Sequence, residues 1–242
     1  MKTFLRLLLG TACCCVASGA IAADMALPPS PQLGLRPSLT WTGCYVGGNI
    51  GGGWNTISGF DPTAGVSVGN GNGSGFVGGG QVGCDYQFNS IVVGVAGMFD
   101  GSAISGTGPN LEVPGVTNKS VIPWLATLTG RIGFVATPST LLYAKAGAAW
   151  AQDNISTTNI SSPLVPVGPV SSSSYAASGW TVGGGLEYVF APHWSVFVEY
   201  DYMDFGTSTR TFIDSPAAGG GRGPFNITQQ VQTAVVGINF RY

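Results

Sequence analysis

The sequence predicts an all-β fold, an eight-stranded antiparallel transmembrane β-barrel with four long outer loops and short periplasmic turns. Charged residues make up only 8% of the 242-residue chain, against about 25% in an ordinary soluble domain. After residue 23, no apolar run approaches the roughly 18 residues that suggest a spanning helix. The last eight residues, 235–242, alternate between apolar and other side chains and end on Tyr242. A membrane barrel would close on such a strand.

Residues 1–23 are predicted to be a cleaved export signal. Lys2 and Arg6 form a basic start, residues 7–16 are apolar, and Ala20-Ile21-Ala22 offers a small-residue cleavage site. The alternative is an uncleaved N-terminal anchor, but the apolar stretch is too short to cross a membrane as a helix. Export places the mature chain in the cell envelope.

The mature chain is weakly acidic and begins with a proline-rich lead-in. Loss of Lys2 and Arg6 leaves seven basic and eleven acidic residues, a formal charge of −4. This charge argues against nucleic acid as a partner. Residues 24–40 are predicted to be an extended periplasmic lead-in, and residues 41–242 are predicted to be the barrel.

Eight alternating segments are predicted as strands. Each is about the length that a tilted strand needs to cross a bilayer, roughly 9–11 residues, with some overhang. They are 41–54, 75–88, 90–100, 121–135, 140–151, 179–190, 194–205 and 229–242.

The connections between these segments alternate in length. Short turns at one end and long loops at the other are typical of outer-membrane barrels. The short links fall at 89–90, 136–139 and 191–193. The long segments are rich in Gly, Ser, Thr and Pro, so we expect solvated, mobile loops. They are 55–74, 101–120, 152–178 and 206–228.

Side-chain alternation predicts two distinct surfaces for the barrel. One surface is apolar and free of charge, and carries residues such as Trp180, Leu186 and Val198. The other carries the strand charges, which are Asp85, Arg131, Lys145, Glu187, Glu199, Asp201 and Arg241. The third segment is ambiguous, because both of its sides are apolar.

Alternation alone leaves open which surface faces outward, since a soluble barrel of the lipocalin type would place its charges outside. Two features favour the membrane orientation. Five of the six tryptophans lie on the apolar surface and none is in the middle of a strand, as interfacial belts require. Seven strand charges of both signs are also too few for a soluble exterior, but could neutralise one another in a narrow lumen.

Residues 41–49, Trp-Thr-Gly-Cys-Tyr-Val-Gly-Gly-Asn, resemble the opening motif of a family of small outer-membrane proteins of alphaproteobacteria. These porin-family or outer-membrane immunogenic proteins are similar to the barrel domain of outer membrane protein A. Segments 78–83, 129–134, 141–147 and 179–188 and the chain end also match. Cys44 departs from the motif, where an aromatic residue is usual.

The resemblance covers residues 41–242. It implies an eight-stranded barrel that is monomeric or weakly associated, with surface-exposed loops and a mostly structural role in the envelope. It supplies no catalytic residues.

We expect the seven strand charges to form a network inside the lumen. Buried charges persist only when they are paired, and an eight-stranded barrel is just wide enough to be filled by its side chains. This favours a lumen mostly plugged by ion pairs. A narrow or gated pore is the alternative.

Cys44 and Cys84 are the cysteines left after signal cleavage, and they form a candidate disulfide. Both have the outward parity, in adjacent strands, and the periplasm permits oxidation. The bond requires that the two residues lie directly opposite each other, which the sequence leaves open. The alternative is two free thiols that face lipid.

The sequence offers no recognisable catalytic or metal-binding motif. His193, the single histidine, is predicted to lie in a periplasmic turn. A lipid-hydrolysing barrel would need a Ser–His pair at the opposite end. No cofactor is expected, and no cluster has metal-ligand spacing.

The predicted protein is a structural and surface component of the Gram-negative outer membrane that supports envelope integrity and is not an enzyme. The first alternative is a narrow or gated porin for ions or small solutes, and the weakest is a lipid-directed barrel enzyme. Expected partners are outer-membrane lipid and lipopolysaccharide, periplasmic chaperones and the barrel-insertion machinery, with host or surface ligands at the loops. Phe240 and Tyr242 are predicted to act as the assembly signal.

Overall fold

The computed structural model describes residues 40–63, 65–109, 116–159, 168–214 and 222–242. The predicted signal segment 1–23 lies outside the described residues, as does the lead-in apart from Thr40. No helix in the described part of the chain is long and apolar enough to cross a membrane.

Eight antiparallel strands form a closed barrel in chain order, and the last strand pairs with the first to complete it. This confirms the predicted fold class. The strands are β1 (Gly43–Asp61), β2 (Val66–Phe88), β3 (Ile91–Pro109), β4 (Val116–Thr137), β5 (Thr140–Asn159), β6 (Gly168–Ala191), β7 (Trp194–Asp214) and β8 (Arg222–Arg241).

Short turns join the strands at one end of the barrel, which we call the turn end, as predicted for the periplasmic side. Asn89 and His193 adopt left-handed backbone conformations in two of these turns, with φ values of 54° and 67°. His193 is fixed against the last strand, because its Nδ1 lies 2.7 Å from the carbonyl oxygen of Arg241. The N–H of Arg241 in turn donates to the carbonyl of His193 (2.8 Å).

The opposite end, which we call the hairpin end, differs from the prediction. β1 and β6, for example, contain 19 and 24 residues, about twice what a membrane crossing requires. Most of the segments predicted as long loops (55–74, 101–120, 152–178 and 206–228) belong to strands that continue beyond the predicted ends. The predicted loop boundaries are therefore wrong, because the strands run through most of these segments, and β1 and β2, for example, end and begin at Asp61 and Val66.

Cross-strand polar contacts explain why these Ser-, Thr- and Asn-rich segments continue as strands. Thr207 and Thr228 share a hydrogen bond of 2.7 Å, and Thr209 donates to Asn226 at 3.0 Å. Such pairs stabilise an antiparallel sheet without apolar burial.

The outward surface agrees with the predicted alternation. Every large apolar residue assigned to the apolar surface is exposed, except Trp124 and Tyr202, which are half-buried. The ambiguous third strand is resolved, because Val93, Val95 and Phe99 face outward. Trp41 alone among the tryptophans is buried inside the barrel.

Two aromatic belts bound the apolar part of the outer surface, and we take the strand segments between them as membrane-spanning. The turn-end belt contains Tyr86, Phe88, Phe134, Tyr188, Phe190, Trp194, Phe240 and Tyr242. The hairpin-end belt contains Trp54, Phe99, Trp124, Trp150, Trp180 and Tyr202.

Candidate functional site in the barrel lumen

All seven charged residues predicted for the lumen are buried inside the barrel. They separate into two groups that we name the charge ring and the lysine cluster. The charge ring contains Asp85, Arg131, Glu187 and Arg241, and the lysine cluster contains Lys145, Glu199 and Asp201.

The charge ring alternates positive and negative side chains. Arg131 forms a two-pronged contact with Asp85, through Nε to Oδ1 at 2.7 Å and through Nη2 to Oδ2, and its Nη1 lies 3.3 Å from Glu187. Arg241 completes the ring at 2.9 Å from Asp85 and 3.5 Å from Glu187. Two cations and two anions balance, as buried charges require.

Tyrosine rings hold the arginines in place. The guanidinium of Arg131 lies 4.7 Å from the ring centre of Tyr45 and 5.0 Å from that of Tyr143. Arg241 lies 5.0 Å from Tyr45, so this ring contacts both arginines. Gly83 makes room for it, because a Cβ at this position would lie 2.4 Å from the Tyr45 ring.

The lysine cluster has one cation and two anions. Lys145 Nζ lies 2.6 Å from Glu199 and 2.9 Å from Asp201. The hydroxyl of Tyr143 donates to the other oxygen of Glu199 at 2.7 Å. Tyr143 therefore touches both groups, because its ring also contacts Arg131.

Neutral polar side chains extend the charge ring. Glu187 Oε1 accepts hydrogen bonds from Ser195 Oγ (2.5 Å) and Asn239 Nδ2 (3.0 Å). Gln81 donates to Asn239 at 2.8 Å. Each of these donors comes from a different strand, so the network ties distant parts of the barrel wall together.

Asp100 is a buried carboxylate that sequence reasoning did not include. Asn49 Nδ2 donates to it at 2.9 Å. Its parity, shared with Val92 and Met98, was visible in the sequence, but two apolar sides obscured which side of β3 faces inward. Tyr45, Tyr143, Asn49 and Gln81 share the parity of the charges and could have been found in the same way.

An apolar cluster lies among the inward-facing side chains towards the hairpin end and beside the charged groups. Its members come from every strand except β1, and most are large aliphatic or aromatic residues. They are Val77, Ile104, Ile122, Leu125, Ala149, Ala151, Ala177, Phe197, Met203, Phe205, Val231 and Val235. Sequence analysis did not predict this cluster.

A smaller apolar cluster lies at the turn end. Trp41 is fully buried and packs with Val92, Leu141 and Tyr143. Its backbone N–H donates to Gln87 at 2.8 Å. The charged groups therefore have apolar neighbours towards both ends of the barrel.

Asp153 lies inside the barrel beyond the membrane-spanning part of β5, three positions after Trp150 of the hairpin-end belt. Ser120 Oγ donates to its Oδ1 at 2.9 Å. Burial raises the pKa of Asp153 to about 6, although hydrogen bonds from Ser120 and Tyr175 oppose the rise. In the described residues, no group of His, Cys, Asp or Glu has the arrangement of a metal site.

Cys44 and Cys84 lie directly opposite each other in β1 and β2 and are joined by a disulfide. Their Cα atoms are 3.9 Å apart. At the chain end, Phe240 packs edge-on against Trp194 with ring centres 5.1 Å apart. The N–H of Tyr242 donates to the carbonyl of Cys44 at 3.1 Å, which ties the end of the chain to the first strand.

Comparison with known proteins identifies the family to which the chain belongs. A family model described as the outer membrane protein β-barrel domain matches residues 11–242. The chain belongs to this family. Membership confirms the predicted resemblance and places the protein in the outer membrane, with lipid around the apolar surface between its two belts.

Two relatives are similar to this chain over most of its length. The 31 kDa outer-membrane immunogenic protein of Brucella melitensis is 30% identical over 211 residues, which cover 82% of this chain and 86% of the relative. An uncharacterized protein of Coxiella burnetii is 27% identical over 185 residues, which cover 70% of each chain.

Among solved structures, the outer-membrane protease OmpT of Escherichia coli aligns with 84% of this chain and 98% of its own, with a TM-score of 0.50 and 12% identity. At this identity, the likeness concerns the fold alone.

Proposed function

We propose that this outer-membrane barrel is a structural and surface protein with a closed lumen, which contributes to envelope integrity and performs no catalysis. The single observation that carries the proposal is the packing of the interior. Charges pair with charges in the middle of the barrel, and apolar side chains lie towards both ends. A continuous water path would need to cross those apolar clusters.

The energetics of the lumen support closure. Glu187, Asp201 and Arg131 are at least nine-tenths buried, and removing water from an ion costs several kcal/mol unless partners compensate. Opening a path would require these partners to separate. The alternative is a narrow or gated pore. The lysine cluster is the feature that favours it, because two carboxylates that share one lysine would select cations over anions.

The surface role rests on the hairpin end. The strands there project well beyond the aromatic belt and present hydroxyl and amide groups with few charges. We infer that this region contacts lipopolysaccharide and host or other surface ligands. Periplasmic chaperones and the insertion machinery are the partners during assembly, with the terminal strand as the signal.

Single-channel recording in planar bilayers tests the closed lumen. The purified protein should give no steady openings, while a large-pore porin in the same bilayers provides the positive control. Steady openings whose size or ion selectivity changes in Lys145→Ala or Glu199→Ala would overturn the proposal and favour the pore.

A deletion strain tests the envelope role. Loss of the protein should increase sensitivity to detergent and leave the uptake of small solutes unchanged. A solute-uptake defect with an intact detergent barrier would contradict the proposal.

A further inference from the structure

The register of the β1–β2 hairpin is poorly specified by its side chains. Every pair from Tyr45–Gly83 to Gly53–Gly75, other than Val46–Val82, contains at least one glycine. Cross-strand side-chain pairs normally fix which residues face each other, and strands rich in glycine are prone to slip.

In the closed barrel, two side-chain hydrogen bonds that hold this register come from other strands. Asn49 of β1 donates to Asp100 of β3, and Gln81 of β2 donates to Asn239 of β8. The contact from Asn49 needs β3 in place, and the contact from Gln81 needs β8, which pairs with β1 only when the barrel closes. Within the glycine-rich part of the hairpin, Val46 pairs with Val82 and Tyr45 packs over Gly83. Gln87 of β2 also contacts the residues just before β1, because its Oε1 accepts from the Trp41 N–H and its own N–H donates to Thr42 Oγ1.

The Cys44–Cys84 disulfide is compatible with one register only. A slip by one residue would turn Cys84 towards the other surface. A slip by two would make the two cysteines diagonal neighbours, roughly 7–8 Å apart, whereas a disulfide needs Cα atoms no more than about 6.8 Å apart and Cβ atoms about 3.5–4.5 Å apart.

We propose that Cys44 and Cys84 are a modification site for a periplasmic protein dithiol–disulfide oxidant, and that the bond locks the register of β1 against β2 before the barrel closes. One cysteine thiolate attacks the disulfide of the oxidant and forms a mixed disulfide. The second thiolate then attacks the sulfur of the first and releases the oxidant. The barrel protein loses two electrons and two protons, and the oxidant leaves as a dithiol.

The position of the bond makes this lock effective for closure. Cys44 lies at the start of β1, and its carbonyl accepts the hydrogen bond from the N–H of Tyr242. β1 pairs with β2 on one side and with β8 on the other. A correctly registered β1 therefore presents the correct edge to the closing strand.

Folding from urea into lipid vesicles tests the proposal, with the folded fraction followed over time by heat-modifiable gel migration. The Cys44→Ser/Cys84→Ser variant should fold several-fold more slowly and to a lower yield than the oxidised protein. Wild-type protein that is reduced with a dithiol while unfolded should behave like the variant. Folding of both at the oxidised wild-type rate and yield would overturn the proposal.

Relocated disulfides separate a register lock from general stabilisation. In the serine background, Val46→Cys/Val82→Cys restores a bond in the same hairpin and register. Val198→Cys/Val236→Cys joins directly opposed outward residues of β7 and β8 across a loop of similar length, so its effect on the unfolded chain should be similar.

Thiol labelling verifies that each new bond has formed. The β1–β2 bond should restore the folding rate, and the β7–β8 bond should not. Equal rescue by the two would overturn the register role and leave only general stabilisation.

Discussion

Arg241 contacts Trp41, a residue 200 positions earlier in the chain, through a hydrogen bond and a cation–π interaction. Its Nη1 donates to the Trp41 carbonyl at 2.7 Å, and its guanidinium lies 5.4 Å from the indole ring. The same side chain pairs with Asp85 in the charge ring. Trp41, two positions before β1, and the end of β8 are therefore joined inside the barrel as well as along the sheet.

We expect Trp41→Ala to destabilise the barrel strongly. The substitution removes a fully buried aromatic side chain, which typically lowers the free energy of unfolding by about 3–5 kcal/mol. Urea unfolding in lipid vesicles measures the change. Trp54→Ala is the control, since Trp54 is half exposed on the outer surface. An equal loss in the two variants would contradict the importance of the internal contact.

Glu187→Gln should destabilise the protein by about 3–5 kcal/mol, because it removes one anion from a buried ring and leaves two arginines with one carboxylate. The double variant Arg131→Met/Glu187→Gln restores the charge balance and keeps the Arg241–Asp85 pair. The double variant should lose less unfolding free energy than the sum of the losses in Arg131→Met and Glu187→Gln, by about 0.5–3 kcal/mol. Additive losses would show that the ring does not act as a unit.

Asp153 should make stability depend on pH. Its pKa in the folded barrel, about 6, lies above the ordinary value of 3.8, so the folded state binds the proton more tightly than the unfolded chain. Asp153 therefore contributes about 2–3 kcal/mol to the free energy of unfolding below about pH 4. This contribution is lost as the pH rises through about 6.

Asp153→Asn isolates this effect, because asparagine keeps an oxygen that can accept from Ser120. The difference in unfolding free energy between variant and wild type should grow in favour of the variant from pH 4 to pH 8. A difference that stays constant over this range would contradict the assignment.

Phe240→Ala and deletion of Tyr242 should each reduce the amount of protein that assembles into the outer membrane. Phe240 packs on Trp194, and Tyr242, the residue after β8, donates a hydrogen bond to Cys44 of β1. Tyr188→Ala is the matched control, an exposed aromatic residue of the same belt that does not belong to the closing strand. Heat-modifiable protein in membrane fractions is the measurement, and equal levels in all variants would exclude a terminal assembly signal.

The alternation of side chains could be read from the sequence because it depends only on strand parity. Trp180, Leu186 and Val198 face outward as expected, and Arg131 and Glu187 face inward. Strand ends could not be read in this way. Beyond the membrane some stretches, such as 206–209, are without apolar side chains on either side, so Thr207 gives no alternating signal although it pairs with Thr228 across two strands.

Contacts across the lumen were also beyond the reach of sequence reasoning. Parity places Asp85 and Arg131 on the same side, but it does not specify the stagger of the strands that brings them together. The pairing of Lys145 with Glu199 and Asp201, separate from the charge ring, is a consequence of that stagger. The role of Tyr45 between two arginines depends on a glycine opposite it.

The paired strands at the hairpin end affect how antibodies would recognise this protein. Neighbouring side chains there come from different strands, as with Gln152 and Asn154 of β5, which both hydrogen-bond Ser174 of β6. Antibodies raised against folded protein would therefore bind conformational epitopes that span adjacent strands. Linear peptides copied from one strand would compete weakly, so an immunogen based on this protein should retain the folded barrel.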